Sequence, residues 1–548
     1  MTAQQRLRQV IDARHGVLRA GVPPHHEAAI LAVLRARDRL PRSLGSGTPA
    51  DLVTGRRLVD PGGNKAFQLC LESTGDAPRA APASSGDGWD DWGEHFLRDC
   101  GHLAEAEQVL AHLETGFMRI AEDGDGTFHA WVATKRAPVT WRERADIDWW
   151  AAWLARRHGA ASLVEPATPA ARPDQACGDS GDDATYRRSA DAHLDRMAYQ
   201  LGYPPGAMIG GCTVQTYRDV VALLIGWVLR ALDRGEAATP RSESAMVAEI
   251  ASALAIDPAV AGRAVAALTL DRDNAAYHAA VPGVAAAPLV RVAPDRLVPS
   301  LHGLTTEPFL FLTRELRRRD ATAYHNAAFL REDVFRRDLY ALFGDKRFVT
   351  SPGGVKLRRE GGDVRTDIDA VIFDRKSGTL AFFELKSQDP FARSAAELAR
   401  QRDNVLYANR QVSGVLAWLK AHGADEVLAR IHARTAKTFR VQKVYPFVLG
   451  RYLAHFNDGP PPDRRAARGT WPQLLRLLDA GPIRATDANP IASLFTRLAN
   501  DAPVIWPPSD LPPREIALGA DRLVIHASWG AYQGWIRADV SFGLTPRP

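Results

Sequence analysis

Three ionisable side chains in the second half of the chain, Asp369, Glu384 and Lys386, are spaced to act on a phosphoryl group. Two carboxylates that face each other bind Mg²⁺ through oxygen and leave room for water and a phosphate oxygen. Such a cation lowers the pKa of its bound water and offsets charge on the phosphoryl group. A nearby ammonium orients the attacking water or offsets developing negative charge. The same three residues also fit a plainer arrangement, an exposed cross-strand charge cluster on a half-buried sheet.

The elements that must position them are two short apolar runs, Ala370 to Phe373 and Leu380 to Phe383. They flank the polar turn Asp374-Arg375-Lys376-Ser377-Gly378, and this pattern predicts a β-hairpin. Side chains alternate along a strand, so Glu384 and Lys386 share one face while Phe383 and Leu385 share the other. Pairing Phe373 with Leu380 sets Asp369 opposite Glu384, and a slip of two residues would not change the side. Gln388 continues the active face by parity, where it would orient a water or contact a phosphate. Ahead of the hairpin, 327–343 predicts a helix with Phe329, Phe335, Leu339 and Leu342 on one side. Residues 347–350 and 354–359 supply a first strand and its connection. Behind it, Pro390 opens a helix to about His422, with Leu398, Val405, Leu406, Val415 and Leu419 as its buried stripe. Residues 441–449 then form a strand beside the hairpin, which makes an α/β core.

Asp369, fourteen intervening residues and then Glu384-Leu385-Lys386 resembles the core motif of the PD-(D/E)XK nuclease superfamily, the restriction-endonuclease-like proteins. The resemblance covers about a quarter of the chain, Asp320 to Phe456. It implies that Asp369 and Glu384 hold Mg²⁺ or Mn²⁺, that Lys386 is the catalytic lysine, and that Glu332, on the preceding helix, completes the metal site. No proline precedes Asp369. The local sequence Asp367-Ile368-Asp369 leaves Asp367 as an alternative ligand. Relatives often use a Gln and a Tyr from the helix after the motif. Gln401 is the candidate here, with Tyr407 and Gln411 nearby, although the Q-x-x-x-Y spacing is not matched.

The densest basic stretch immediately precedes the hairpin: Arg314, Arg317, Arg318, Arg319, Arg331, Arg336, Arg337, Lys346, Arg347, Lys356, Arg358 and Arg359. A basic rim around a carboxylate pocket suits a phosphodiester substrate, though interleaved acids fit a solvated charged face equally well. Arg358, Arg359, Arg393, Arg400 and Gln401 are the candidate nucleic-acid contacts. The expected function is therefore metal-dependent hydrolysis of phosphodiester bonds, in DNA in preference to RNA, with restriction, repair and defence against foreign DNA as compatible roles. Two other readings stay open. One is a non-catalytic nuclease-like scaffold that binds nucleic acid or protein. The other is a helix-turn-helix regulator.

The chain has 548 residues and a net charge of +5, with 46% hydrophobic and 24% charged residues. That length predicts several domains of ordinary globular composition. Cys70, Cys100, Cys177 and Cys212 lie far apart, which argues against a zinc ribbon or a disulfide scaffold and fits a reducing cytoplasm. No secretory leader is expected at Met1, and no apolar run is long enough to span a bilayer.

The expected fold class is multidomain α+β. Residues 1–164 form a mostly helical domain, 165–185 a linker, 186–315 a helical domain with a winged-helix-like unit, 316–456 the nuclease-like core with a central mixed sheet, and 457–548 a small α/β accessory region. Within these, Gln4 to Ala36 reads as two helices broken at Val22-Pro23-Pro24. The run Asp123-Gly124-Asp125-Gly126 reads as a turn rather than a calcium loop. Trp149, Trp150 and Trp153 read as core packing of a helix. Residues 242–254 and 258–268 predict two helices about a tight turn, followed by a small hairpin at 288–299. The second helix carries only Arg263 as a basic group, which suits a structural or oligomerising role better than reading DNA. The C-terminal run from Arg514 to Ser541 predicts a β unit packed on the nuclease-like core. A homo-oligomer or a protein partner would be engaged through the N-terminal half, and no membrane partner is expected.

Overall fold

The computed structural model describes residues 1–43, 62–73, 87–114, 118–132, parts of 149–156, 183–197, 201–281 without 235, 237 and 238, 286–358, 362–388, 395–455, 463–501 without 482 and 485, and 513–526. Cys177, Arg359, Arg393, residues 165–182 of the expected linker at 165–185 and the expected strand beyond residue 526 lie outside the described residues; the last three linker positions already belong to helix Asp183–Arg196. The chain is a helix-rich α+β protein with several small sheets. No single helix among the described residues is long and apolar enough to cross a membrane.

Helix Ala3–Ala20 opens on a capping box between Thr2 and Gln5, and helix His26–Ser43 follows the break at the prolines. Helix Asp87–Glu114 packs against both. The acidic run at 123–126 turns a hairpin between Met118–Glu122 and Thr127–Val132: the Thr127 N–H donates to Asp123 Oδ1 and Asp125 Oδ1, both at 3.0 Å. Strand Thr127–Val132 then pairs in parallel with Asp521–His526, which pairs with Arg514–Leu518. This corrects the expectation that the C-terminal strands pack on the nuclease-like core. Their alternating Ile516, Leu518, Leu523 and Ile525 bury in the same cluster as Leu7, Leu97 and Phe128, so strands from the N-terminal and C-terminal parts of the chain share one sheet.

In the middle of the chain, Val214–Asp233 is a mostly buried helix. Helices Glu243–Leu254 and Pro258–Leu268 cross at 119° about Ala255, which adopts a left-handed φ of 51°. A further helix, Arg272–Ala279, was not legible beforehand. The hairpin Leu289–Ala293 and Arg296–Pro299 joins two short strands in a four-stranded sheet. Arg263 donates to the Gly211 carbonyl.

The unit that positions the candidate site begins with helix α1 (Ala321–Ala341). Strands β1 (Phe348–Thr350), β2 (Val355–Arg358), β3 (Val364–Ile368), β4 (Ala370–Asp374) and β5 (Thr379–Lys386) follow, then helix α2 (Ala395–His422), β6 (Lys443–Gly450) and β7 (Ala467–Thr470). The sheet order is β7-β6-β5-β4-β1. The β4–β5 and β4–β1 pairs are antiparallel; β5–β6 and β6–β7 are parallel. β2 and β3 form a separate hairpin.

Both faces of the sheet are covered. Phe335 and Leu339 of α1 pack with Ile372, Phe383, Leu385 and Trp471 on one face. Val412, Val415 and Trp418 of α2 pack with Val371, Phe373 and Phe382 on the other. Trp150 is buried in the first cluster, with Trp149 and Trp153 packed against it, so these tryptophans serve packing. β7 and helices Trp471–Ala480 and Pro490–Asn500 belong to this same core.

The buried stripe of α1 is Tyr324, Ala327, Arg331, Phe335 and Leu339. Phe329 is not on it: at 73% exposure it faces solvent. Six residues separate it from Phe335, which at 100° per residue puts it roughly 120° away around the helix. Phe335→Ala should therefore destabilise the core by about 3–5 kcal/mol, whereas Phe329→Ala should change stability by less than about 0.5 kcal/mol. Urea unfolding followed by circular dichroism measures both, and equal losses would contradict this assignment of faces.

Candidate active site at the rim of the sheet

The hairpin takes the expected register. Phe373 pairs with Leu380 and Ala370 with Phe383, so the next step along the ladder sets Asp369 against Glu384. The turn is fastened from below by Asp374, whose carboxylate receives Arg347 Nε at 2.5 Å, Arg347 Nη2 at 2.6 Å and Ser377 Oγ at 2.5 Å. These donors hold Asp374 below the usual carboxylate range despite its burial.

At the other end of the hairpin the two carboxyl groups come within hydrogen-bonding reach of each other. Asp369 Oδ2 accepts the Leu385 N–H at 2.7 Å, and the Asp369 carbonyl accepts Arg336 Nε from α1 at 2.5 Å. Glu384 is only 3% exposed. Lys386 Nζ lies 2.5 Å from Glu384 Oε1 and donates to Gln411 Oε1 at 2.8 Å.

These groups titrate abnormally because a buried charge is costly and like charges repel. Burial and then the charge of Asp369 push Glu384 well above its ordinary range. Burial also raises Asp369, with Lys386 pulling the other way. Glu332, one turn before Arg336 on α1, is raised to about 7 by burial and then by Asp369, with Asp367 adding to the shift and Lys386 and Arg336 opposing it. The structure thus brings Asp369, Glu384 and Lys386 together, with Glu332 near enough to feel the charge of Asp369. Asp367 lies close enough to be felt by the others but is exposed on β3, paired across the hairpin with Lys356. β5 is buried along its length, so an exposed charge cluster on a half-buried sheet is ruled out.

Other expected residues lie elsewhere. β5 ends at Lys386, and strand parity ends with it. Gln388 lies just after β5 with its side chain buried against the loop after β6, where its Nε2 donates to the Leu453 carbonyl at 2.5 Å and its Oε1 accepts the Tyr452 and Leu453 N–H groups. It fastens the end of β5, together with the Arg451 N–H donating to the Lys386 carbonyl at 2.8 Å. A catalytic role for Gln388 is therefore corrected to a positioning one.

Gln401 is buried and cannot meet a nucleic-acid backbone from there. Arg358 and Arg400 are exposed, Arg358 donating to the Gly362 carbonyl at 2.7 Å. Much of the expected basic rim is spent internally. Arg314 pairs with Glu397, Arg318 and Arg319 with the buried Glu315, and Arg331 is buried with Nη1 on the Gln388 carbonyl.

The residues that sequence reasoning left unassigned are Tyr407 and Gln411. Their i, i+4 spacing puts them on one face of α2, and that face meets Lys386. The Tyr407 ring centroid is 5.9 Å from Lys386 Nζ and 5.0 Å from the Arg410 guanidinium.

Asp369 and Glu384 form a close carboxylate pair, and Glu332, expected to complete a metal site with them, is near enough to feel the charge of Asp369 but does not join them in a three-carboxylate group. Among the described residues no group of three or more His, Cys, Asp or Glu is placed to hold a metal ion. Compared with family models, curated proteins and solved structures, the chain matches none.

Because the folded chain holds the Glu332 proton more tightly than the unfolded chain does, its contribution to stability is full below about pH 4.5 and is lost as pH rises through about 7. Glu332→Gln in EDTA should leave the Tm near the wild-type value in acid and raise it progressively between about pH 5 and about pH 8. A Tm difference independent of pH would show that neither burial nor the charge of Asp369 shifts Glu332.

Proposed function

We propose that the chain is a metal-dependent nuclease of the PD-(D/E)XK type, hydrolysing phosphodiester bonds in DNA on a restriction-endonuclease-like core formed by α1, the β7-β6-β5-β4-β1 sheet and α2. The observation that carries this reading is the meeting of Asp369, Glu384 and Lys386 at one rim of an otherwise apolar sheet.

The donor set fits a hard divalent cation, being oxygen-rich, anionic and crowded enough that its carboxyl groups resist ionising without a counter-charge. Asp369 and Glu384 would hold Mg²⁺ or Mn²⁺, with Glu332 beside them. The ion supplies charge neutralisation at the phosphoryl group and a bound water of lowered pKa.

The chain's own residues do the rest. The Leu385 N–H and Arg336 fix Asp369 in place. Gln411 accepts one proton of Lys386 and Glu384 another, which aims the ammonium and leaves its third donor for a phosphate oxygen or the attacking water. Arg358 and Arg400 are exposed to meet the backbone. Restriction, repair and defence remain compatible settings.

The burial of Glu384 and its ion pair with Lys386 favour a second reading, a catalytically silent nuclease-like scaffold. The helix-turn-helix regulator gains little, because the basic group of its second helix, Arg263, donates to Gly211.

Incubating the full chain with single- and double-stranded DNA in Mg²⁺ or Mn²⁺ separates these readings. Cleavage should occur, and Asp369→Asn, Glu384→Gln and Lys386→Ala should each slow it by about 10²-fold or more. Cleavage that survives Lys386→Ala and Asp369→Asn would reject the assignment, and no cleavage of any DNA by the wild type would favour the scaffold.

A further inference from the structure

Three aromatic side chains among the described residues are at least a third exposed: Trp131, Phe329 and Tyr407. A single exposed apolar residue needs no explanation. One of these, Tyr407, stands at the carboxylate rim, and Phe329 is on the helix whose Arg336 grips Asp369; the two come from helices on opposite faces of the sheet. Tyr407, 50% exposed, projects from α2 beside Lys386, with Arg410 over its ring. Phe329 projects from α1. On the helical wheel it lies roughly 60° from Glu332 and 20° from Arg336, two turns or about 10 Å along the axis from the residue that grips Asp369. The face of α1 that carries Glu332 to the site therefore carries Phe329 just outside it.

We propose, resting on the nuclease reading above, that Phe329 and Tyr407 are stacking platforms for unpaired bases on either side of the scissile phosphate, and that the substrate is single-stranded DNA or a frayed single-stranded end. Every base offers a π-face, so aromatic side chains beside a basic track bind single strands with little regard to sequence. A duplex keeps those faces stacked on its own neighbours and has to be opened before side chains can reach them. Arg410 and Lys386 suit this arrangement: both hold positive charge against the Tyr407 ring, where a phosphate attached to the stacked nucleoside would lie. Neither ring contributes to the core, so neither is held in place by folding requirements.

The test is binding of fluorescein-labelled oligonucleotides, read by anisotropy in EDTA so that cleavage plays no part. It compares a single-stranded dT oligomer, the same strand with abasic sites, and a duplex. For the wild type, the dT strand should bind more tightly than both the abasic strand and the duplex. Tyr407→Ala and Phe329→Ala should each weaken dT binding by about 5- to 150-fold, the range base stacking covers. They should leave abasic-strand and duplex binding within about twofold, and Tyr407→Phe and Phe329→Tyr should restore dT binding. The proposal is overturned if the alanine variants bind dT like the wild type, if all three ligands weaken together, or if the wild type binds no single strand. Failure of the nuclease reading looks different: base-dependent single-strand binding would persist while no DNA is cut in Mg²⁺ or Mn²⁺.

Discussion

The arrangement depends on one antiparallel pairing. Because Ala370 sits opposite Phe383, the next residues out are Asp369 and Glu384, and two carboxyl groups meet where the β4–β5 ladder ends while β5 goes on pairing with β6. After Thr379 the strand carrying Glu384 is otherwise apolar up to Lys386 and is covered by helices on both faces. An ionised carboxylate there loses hydration that the interior does not replace. A second one beside it adds repulsion in a medium that screens poorly. What opposes this is local: the Leu385 N–H on Asp369, the Lys386 ammonium on Glu384, and the Arg336 guanidinium on the Asp369 carbonyl. Such a rim is stable with a proton shared in it, or with a cation.

Residues far away in sequence keep the pairing in place. Arg347 and Asp374 lock the turn end of the hairpin, and Arg347 also reaches the carbonyls of Asp487 and Ala488. The loop after β6 holds the opposite end through Gln388 and the backbone of Arg451, while the Arg451 guanidinium pairs with Asp338 and lies against Trp150, Phe335 and Trp471. The position of Lys386 is thus set from α1, β6 and the helix that starts at Trp471 together. α2 completes it by presenting Gln411.

The hairpin and its register were legible in the sequence, because strand alternation and turn chemistry are local and the motif lies within them. Gln388 was misread because parity was carried beyond the last strand residue, where a loop takes over. Phe329 was misread because its hydrophobicity was counted without its angle on the helix. The arginines of 314–331 read as a basic rim, but burial pairs them with Glu397, Glu315 and a carbonyl, and only tertiary packing reveals such partners. Placing Asp521–His526 beside Thr127–Val132 required a contact across most of the chain that no local pattern encodes. Tyr407 and Gln411 could have been found: an i, i+4 pair on a helix following the motif is a signal, although in the reverse order to the one sought.

The central claim is that the Asp369–Glu384 pair is a divalent-cation site. Its most direct test is a crystal of the wild-type chain grown with Mn²⁺ near neutral pH, with data collected to reveal the anomalous signal of manganese. The account predicts a peak in contact with both carboxylates, with Lys386 no longer paired to Glu384. The two carboxyl groups still hydrogen-bonded to each other, with Lys386 on Glu384 and no manganese between them, would contradict it.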